Sequence, residues 1–192
     1  MTLTRPASDR SPDRSSDRPL TLPSLPQLLQ PDWVAPGTLA ELPLDQLVER
    51  RIRALVLDVD RTLLPRHGHL MPESVEAWLR RAQERMPLHL FSNNPSRTRI
   101  GRVAETLGVS FTTSAGKPRR GPLRRVLDNL AMPPAEVAIV GDRVFTDVLA
   151  GNRLGLYTIL VKPVDAEGRP CRHDHWQKLE VQLARLAGAP LA

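Results

Sequence analysis

Short apolar runs alternate along the chain with segments whose apolar residues recur at helical spacing. Ala54 to Leu57 is an unbroken apolar run, and Leu88 to Phe91, Val109 to Thr112, Val137 to Val140 and Tyr157 to Val161 repeat the theme. The first run predicts a strand buried on both faces of a parallel sheet, and the others predict further strands, of which Val109 to Thr112 carries the weakest pattern. Between them the spacing predicts helices. Pro72 to Arg85 turns Val75, Trp78 and Leu79 inward. Ser96 can cap a helix carrying Ile100, Val103, Ala104 and Leu107, with Gly108 as its stop. Gly116-Lys117-Pro118 opens a helix with Leu123, Val126, Leu127 and Leu130, and a further helix bears Val144, Val148 and Leu149. A final amphipathic helix is expected over His175 to Leu186. Strands alternating with helices imply right-handed crossovers and an α/β fold: a three-layer α/β/α, Rossmann-like parallel sheet.

The N-terminal part departs from this pattern. Residues 1–20 are rich in Pro, Ser, Asp and Arg, with Asp-Arg recurring at 9–10, 13–14 and 17–18, and are expected to be a disordered tail. Leu20 to Val34 places Leu25, Leu28, Leu29 and Trp33 among prolines, as a strap packed on the domain or as a membrane-docking segment. Pro43 suits the first turn of a short helix with a stripe of Leu44, Leu47 and Val48. The expected organisation is a tail over 1–20, a strap and short helix over 21–50, a core domain over 51–165, and a loop and helix over 166–192.

Composition narrows the classes. The length, 192 residues, suits one domain with a full core. The single cysteine, Cys171, excludes an internal disulfide. No membrane-length apolar run and no signal-peptide pattern is present, so a cytoplasmic location is expected, with peripheral membrane contact as an addition. The net charge is +6, and only Lys117, Lys162 and Lys178 among the basic residues are lysines. Such a surface attracts phosphorylated ligands, nucleic acid or anionic membrane, or is an ordinary solvated arginine-rich surface. Aromatic residues are too few for base-stacking platforms, and no nucleic-acid partner is expected.

The chemistry lies where the runs end. Asp58 and Asp60 follow the first run, with Thr62 just after, at the sheet edge where open α/β folds bind ligands. Two acids at this spacing can divide phosphate-ester hydrolysis: Asp58 as nucleophile, Asp60 as general acid and base. Two carboxylates and a phosphate repel one another, so a hard divalent cation, Mg²⁺, is implied. Alone, the stretch is also compatible with a solvated turn holding incidental acids. Ser92 offers a hydroxyl, and the backbone N–H groups of Asn93 and Asn94 can face a phosphoryl oxygen. Lys117 offers fixed positive charge. Asp142 can complete a metal site, and Asp147 can orient metal-bound water or Lys117. The intervals Asp58–Ser92, Ser92–Lys117 and Lys117–Asp142 each fit about one helix–strand repeat, so all four clusters can reach one sheet edge.

Asp58-Val59-Asp60-Arg61-Thr62, Ser92, Lys117 and Gly141-Asp142 with Asp147 resemble the four motifs of the haloacid dehalogenase (HAD) superfamily, over residues 50 to 165. Phe91-Ser-Asn-Asn-Pro, Gly116-Lys-Pro and the segment from Gly141 to Gly155 are similar to the YqeG-type subfamily, class IIIA. That subfamily is related to the phosphatidylglycerophosphate phosphatases of mitochondria and plastids. The resemblance implies Asp58 as nucleophile, Asp60 as acid and base, and Mg²⁺ held by Asp58, the Asp60 carbonyl and Asp142. Thr62, Ser92, Asn93 and Lys117 fall to phosphate binding and Asp147 to a supporting position. Arg61 stands where the subfamily commonly carries Asn. Neither interval between the first three motifs has room for a lid domain, so a capless enzyme is expected. An open site suits a large phosphorylated substrate, such as a lipid head group at an anionic membrane surface. A soluble phosphorylated metabolite is the alternative substrate, and a non-catalytic binding module is the reading from another class.

Overall fold

The structure is a computed structural model that describes residues 23–66, 68, 70–171 and 174–191. The expected tail over 1–20 lies outside the described residues. Among the described residues, six strands form one parallel sheet: β1 (Trp33–Val34), β2 (Ala54–Leu57), β3 (Leu88–Phe91), β4 (Ser110–Thr112), β5 (Val137–Gly141) and β6 (Tyr157–Leu160), in the spatial order β1-β6-β5-β2-β3-β4. The helices are α1 (Leu25–Leu29), α2 (Leu44–Glu49), α3 (Glu73–Gln83), α4 (Arg97–Leu107), α5 (Arg120–Leu130), α6 (Leu149–Asn152) and α7 (His175–Leu186).

Central β2 is buried at every position because both faces are covered. Leu55 and Leu57 join the core under α3 and α4, whereas Ala54 and Val56 join the core under α5. This is the period-two alternation of a strand shared between two layers. Trp78 of α3 is fully buried and donates its indole N–H to the Leu42 carbonyl at 2.7 Å, so its one polar atom is satisfied. Helix α4 begins where the Ser96 hydroxyl accepts the Arg99 N–H at 3.2 Å. It ends at Gly108, which adopts the left-handed conformation at φ 66°.

The strap is settled over its described part. Leu29 is buried, Asn152 donates to the carbonyls of Leu28 and Gln30, and Asp32 accepts from both the N–H and the hydroxyl of Thr158. Trp33 and Val34 pair with β6 as an edge strand. Residues 23–34 therefore pack on the domain. One expectation fails in α2. Leu44 and Leu47 are buried, but Val48 is 49% exposed, because a helix of six residues meets the core along one narrow line. Among the described residues, no helix is long and apolar enough to cross a membrane.

Candidate active site

The carboxyl ends of β2, β3 and β5 open into one cleft lined by Asp58, Asp60, Arg61, Ser92, Lys117 and Asp142, with Asn93 and Asp147 beside them. The clusters expected from sequence converge there. Lys117 lies at its centre and is almost wholly buried. Its Nζ donates to Asp58 Oδ1 at 2.6 Å, Asp147 Oδ1 at 2.6 Å and the Phe91 carbonyl at 2.9 Å. An ammonium has three protons to donate, and all three are committed. Burial pulls the Lys117 pKa down, but the Asp147 and Asp58 carboxylates outweigh it, and the net shift is upward. The lysine is a permanent cation. Its loop is pinned from β3, where the Asn93 side chain accepts the Lys117 N–H at 2.7 Å and donates to the Lys117 carbonyl at 3.2 Å.

Asp58 is buried, and its second oxygen accepts the Thr62 hydroxyl at 3.2 Å. Burial raises its pKa to about 6, with Lys117 opposing and Asp147 adding to the rise. Asp60 is more open. It accepts from the Ser92 hydroxyl at 3.2 Å, Asn94 Nδ2 at 3.1 Å and Arg99 Nε at 3.2 Å. The Asn94 backbone N–H donates to the Ser92 hydroxyl at 3.0 Å, so this loop is ordered around Asp60. The two acids of the motif thus sit in different surroundings, one against a buried lysine and one in a polar rim.

Asp147 rides on a single π turn, Val144–Val148, that leads into α6. Such turns recur at functional sites. Its Oδ2 accepts the Arg143 N–H at 3.3 Å and the Thr146 hydroxyl at 3.2 Å. Gly141 makes the approach possible: a Cβ there would lie 2.2 Å from the Asp147 carboxyl carbon. Asp142 is buried, and its Oδ2 accepts no hydrogen bond. Its pKa is pushed well above the carboxylate range by burial and by Asp58 and Asp147.

Oxygen atoms of Asp58, Asp142 and Asp147 lie within 4.8 Å of one another. The oxygens of Asp58 and Asp147 already accept hydrogen bonds; Asp142 Oδ2 is the orphan. Crowded buried carboxylates with an unsatisfied oxygen fit a hard divalent cation.

Several contributors escaped sequence reasoning. Arg99 reaches Asp60 from the first turn of α4. Arg61 pairs with Asp174, the cap residue of α7, and Gln177 donates to the Asp142 carbonyl at 2.7 Å. Glu180 accepts the Val144 N–H at 2.9 Å and pairs with Arg143, so α7 caps the π turn. An acid set between the apolar residues Leu179 and Val181 was the local signal in the sequence, at Glu180.

Comparison with known proteins then bears on the site. Residues 114–175 match a family model described as HAD-hydrolase-like. The chain is 32% identical over 121 residues to the probable phosphatase YqeG of Bacillus subtilis, covering 62% of this chain and 70% of that protein. The chain belongs to the HAD superfamily. Within it, the mitochondrial phosphatidylglycerophosphatase GEP4 of Saccharomyces cerevisiae is 28% identical over 151 residues, 71% of this chain and 80% of its own. The chloroplastic/mitochondrial phosphatidylglycerophosphate phosphatase 1 of Arabidopsis thaliana is 26% identical over 186 residues, 88% of this HAD chain but 49% of the plant protein.

Proposed function

We propose that this protein is a Mg²⁺-dependent phosphomonoester hydrolase working through an aspartyl-phosphate, with phosphatidylglycerophosphate as its substrate. The observation that carries the reading is the buried Lys117, bonded at once to Asp58 and Asp147 where three strands end. It holds the nucleophile's carboxylate in place and supplies positive charge where phosphoryl oxygens gather. Asp58 attacks phosphorus, forming one P–O bond as the bond to the leaving oxygen breaks. Asp60 gives that oxygen its proton. Water, deprotonated by Asp60, then attacks phosphorus, breaks the acyl-phosphate bond and restores Asp58. Thr62 and Lys117 orient Asp58, and Ser92, Asn94 and Arg99 orient Asp60. Asp58, Asp142 and the Asp60 carbonyl would hold the cation, which supplies charge neutralisation for the phosphoryl group.

Three observations support a lipid substrate beyond the names of the relatives. Among the described residues, no inserted lid domain covers the cleft. Helix α7, whose first turns border the site, exposes Trp176, Leu179, Leu183 and Leu186 along one face, with Lys178 and Arg185 on the neighbouring face. An apolar stripe flanked by cations is the pattern of a helix lying in a lipid interface. Arg119, Arg120, Arg124 and Arg125, at the start of α5 beside Lys117, are all exposed. Hydrolysis of an aryl phosphate with Mg²⁺, abolished by chelator, tests the enzyme class. Trapping of hydroxylamine-sensitive label on Asp58 tests the intermediate. A panel of lipid phosphate, sugar phosphates and nucleotides tests the substrate, and preference for a sugar phosphate would replace the lipid with a soluble metabolite.

A further inference from the structure

Arg61 is built into the cleft at a conformational cost. Its φ is 72°, in the left-handed region that favours glycine and asparagine. Two backbone hydrogen bonds hold it there: Arg61 N–H to the Leu64 carbonyl at 2.7 Å and Val164 N–H to the Arg61 carbonyl at 2.8 Å. The side chain is therefore aimed, and it is only 17% exposed. It lies between two acids. Nη2 is 2.5 Å from Asp174 Oδ1, and Nε is 3.4 Å from Asp142 Oδ2. The first is a close ion pair. The second is an ion pair without hydrogen-bond geometry, and it falls on the orphaned oxygen of the acidic cluster.

We propose that Arg61, drawn aside by Asp174, sets the affinity of the acidic cluster for its divalent cation. The proposal rests on the metal-dependent reading above. A cation and a guanidinium compete for the same Asp142 oxygen. Asp174 takes up the closest donor of Arg61 and leaves Asp142 Oδ2 only a loose partner. Asp174 also caps α7, accepting the Trp176 N–H at 3.2 Å. The C-terminal helix is thereby wired to the metal site: displacing its first turn frees Arg61 to close on Asp142. Arg61 is a positioning residue in this account, acting on the ion through the ligand that both address.

Two substitutions must then act in opposite directions. Arg61→Asn removes the competitor and suits the left-handed backbone. Asp174→Asn keeps a good helix cap but loosens its hold on Arg61. The experiment is Mn²⁺ binding to the full chain, stripped of metal, followed by the paramagnetic resonance of the free ion. Thermal unfolding in chelator verifies that each variant is folded. Arg61→Asn is expected to tighten binding and Asp174→Asn to weaken it, each by roughly tenfold, the scale of one unit charge beside a partly buried ligand. The double variant should match Arg61→Asn alone, because Asp174 acts through the arginine. If Asp174 acted by its own charge, its replacement would weaken binding equally in the Arg61→Asn background, and that result overturns the proposal. So does a dissociation constant within twofold of the parent in either single variant. Failure of the underlying reading is distinguishable: the parent would bind no Mn²⁺, or Asp142→Ala would bind it as tightly as the parent.

Discussion

Lys117 shows how a single residue can organise a catalytic edge. Its three donors tie together the ends of β2 and β3 and the π turn after β5, so Asp58, the proposed nucleophile, is positioned by the same contacts that hold these elements together. Asp58→Asn is therefore expected to remove turnover without unfolding the protein. Lys117 keeps Asp147 and the Phe91 carbonyl, and the direction of the Asp58 pKa supports the point. A folded-state pKa raised to about 6 means that this carboxyl favours the fold fully below its ordinary value of 3.8, and that the benefit is lost as pH rises through about 6. Above that pH an uncharged asparagine should leave the thermal midpoint unchanged or higher in chelator; a large drop would show that the ionised carboxylate is structural. His89 gives the opposite pH dependence. Its ring is buried against the Ser110 and Thr112 hydroxyls at 2.7 and 2.9 Å, and burial lowers its pKa to about 4. Below pH 6.5 the unfolded chain takes up a proton that the folded chain refuses until about pH 4. Wild-type stability should fall across that window, and denaturant titrations of His89→Gln should show a shallower decline.

At the scale of elements, the helices and strands that form the main core were legible because their signals are local. Ser96 and Gly108 bracket α4, unbroken apolar runs mark β2 and β5, and β3 is an apolar run interrupted only by His89. What escaped depends on contacts distant in sequence. Strand β1 is two residues long in a proline-containing segment, and only its pairing with β6 makes it a strand. The turn carrying Asp147 has apolar residues at helical spacing, so periodicity does not separate a π turn from an α turn. The links from Asp60 to Arg99, from Arg61 to Asp174 and from Val144 to Glu180 join residues 36 to 113 positions apart. Candidate residues for the site could therefore be named from sequence, while their orientation could not. Helix α7 shows the same division: its span and amphipathicity were legible, but which of its faces packs inward was not. Glu180 and Ala184 pack inward, whereas Trp176, Leu179, Leu183 and Leu186 face outward. Replacing Leu179 and Leu183 together with serine should cut flotation with anionic liposomes several-fold and leave aryl-phosphate hydrolysis within about twofold, since neither side chain reaches the cleft. Unchanged flotation would remove α7 as the lipid-facing element, and a concentration-dependent fall in molecular mass would assign its stripe to a second copy of the chain.

For the whole molecule, the decisive feature is that chemistry and approach are separable. The chain from Asp58 to Pro72 and from Ser92 to Ser96 carries no inserted domain, so no lid closes over the cleft among the described residues. Asp58, the proposed nucleophile, and Lys117 beside it are nevertheless buried, and their mutual attraction is little screened by salt. The cations that would meet an anionic surface are exposed side chains, and their contribution, about 1 kcal/mol each near a bilayer, decays over a Debye length of about 10 Å or less. Salt should thus divide the two. Raising the ionic strength is expected to slow hydrolysis of a lipid phosphomonoester displayed on anionic vesicles by roughly tenfold, the loss of one or two such contacts. The same change should leave a small aryl phosphate in solution hydrolysed at nearly its low-salt rate. Paired assays at low and high salt, with Mg²⁺ held constant, measure both. If the two rates fall together, salt acts on the catalytic groups themselves. If neither falls, the basic surface takes no part in substrate delivery, and the open cleft is reached by substrates free in solution.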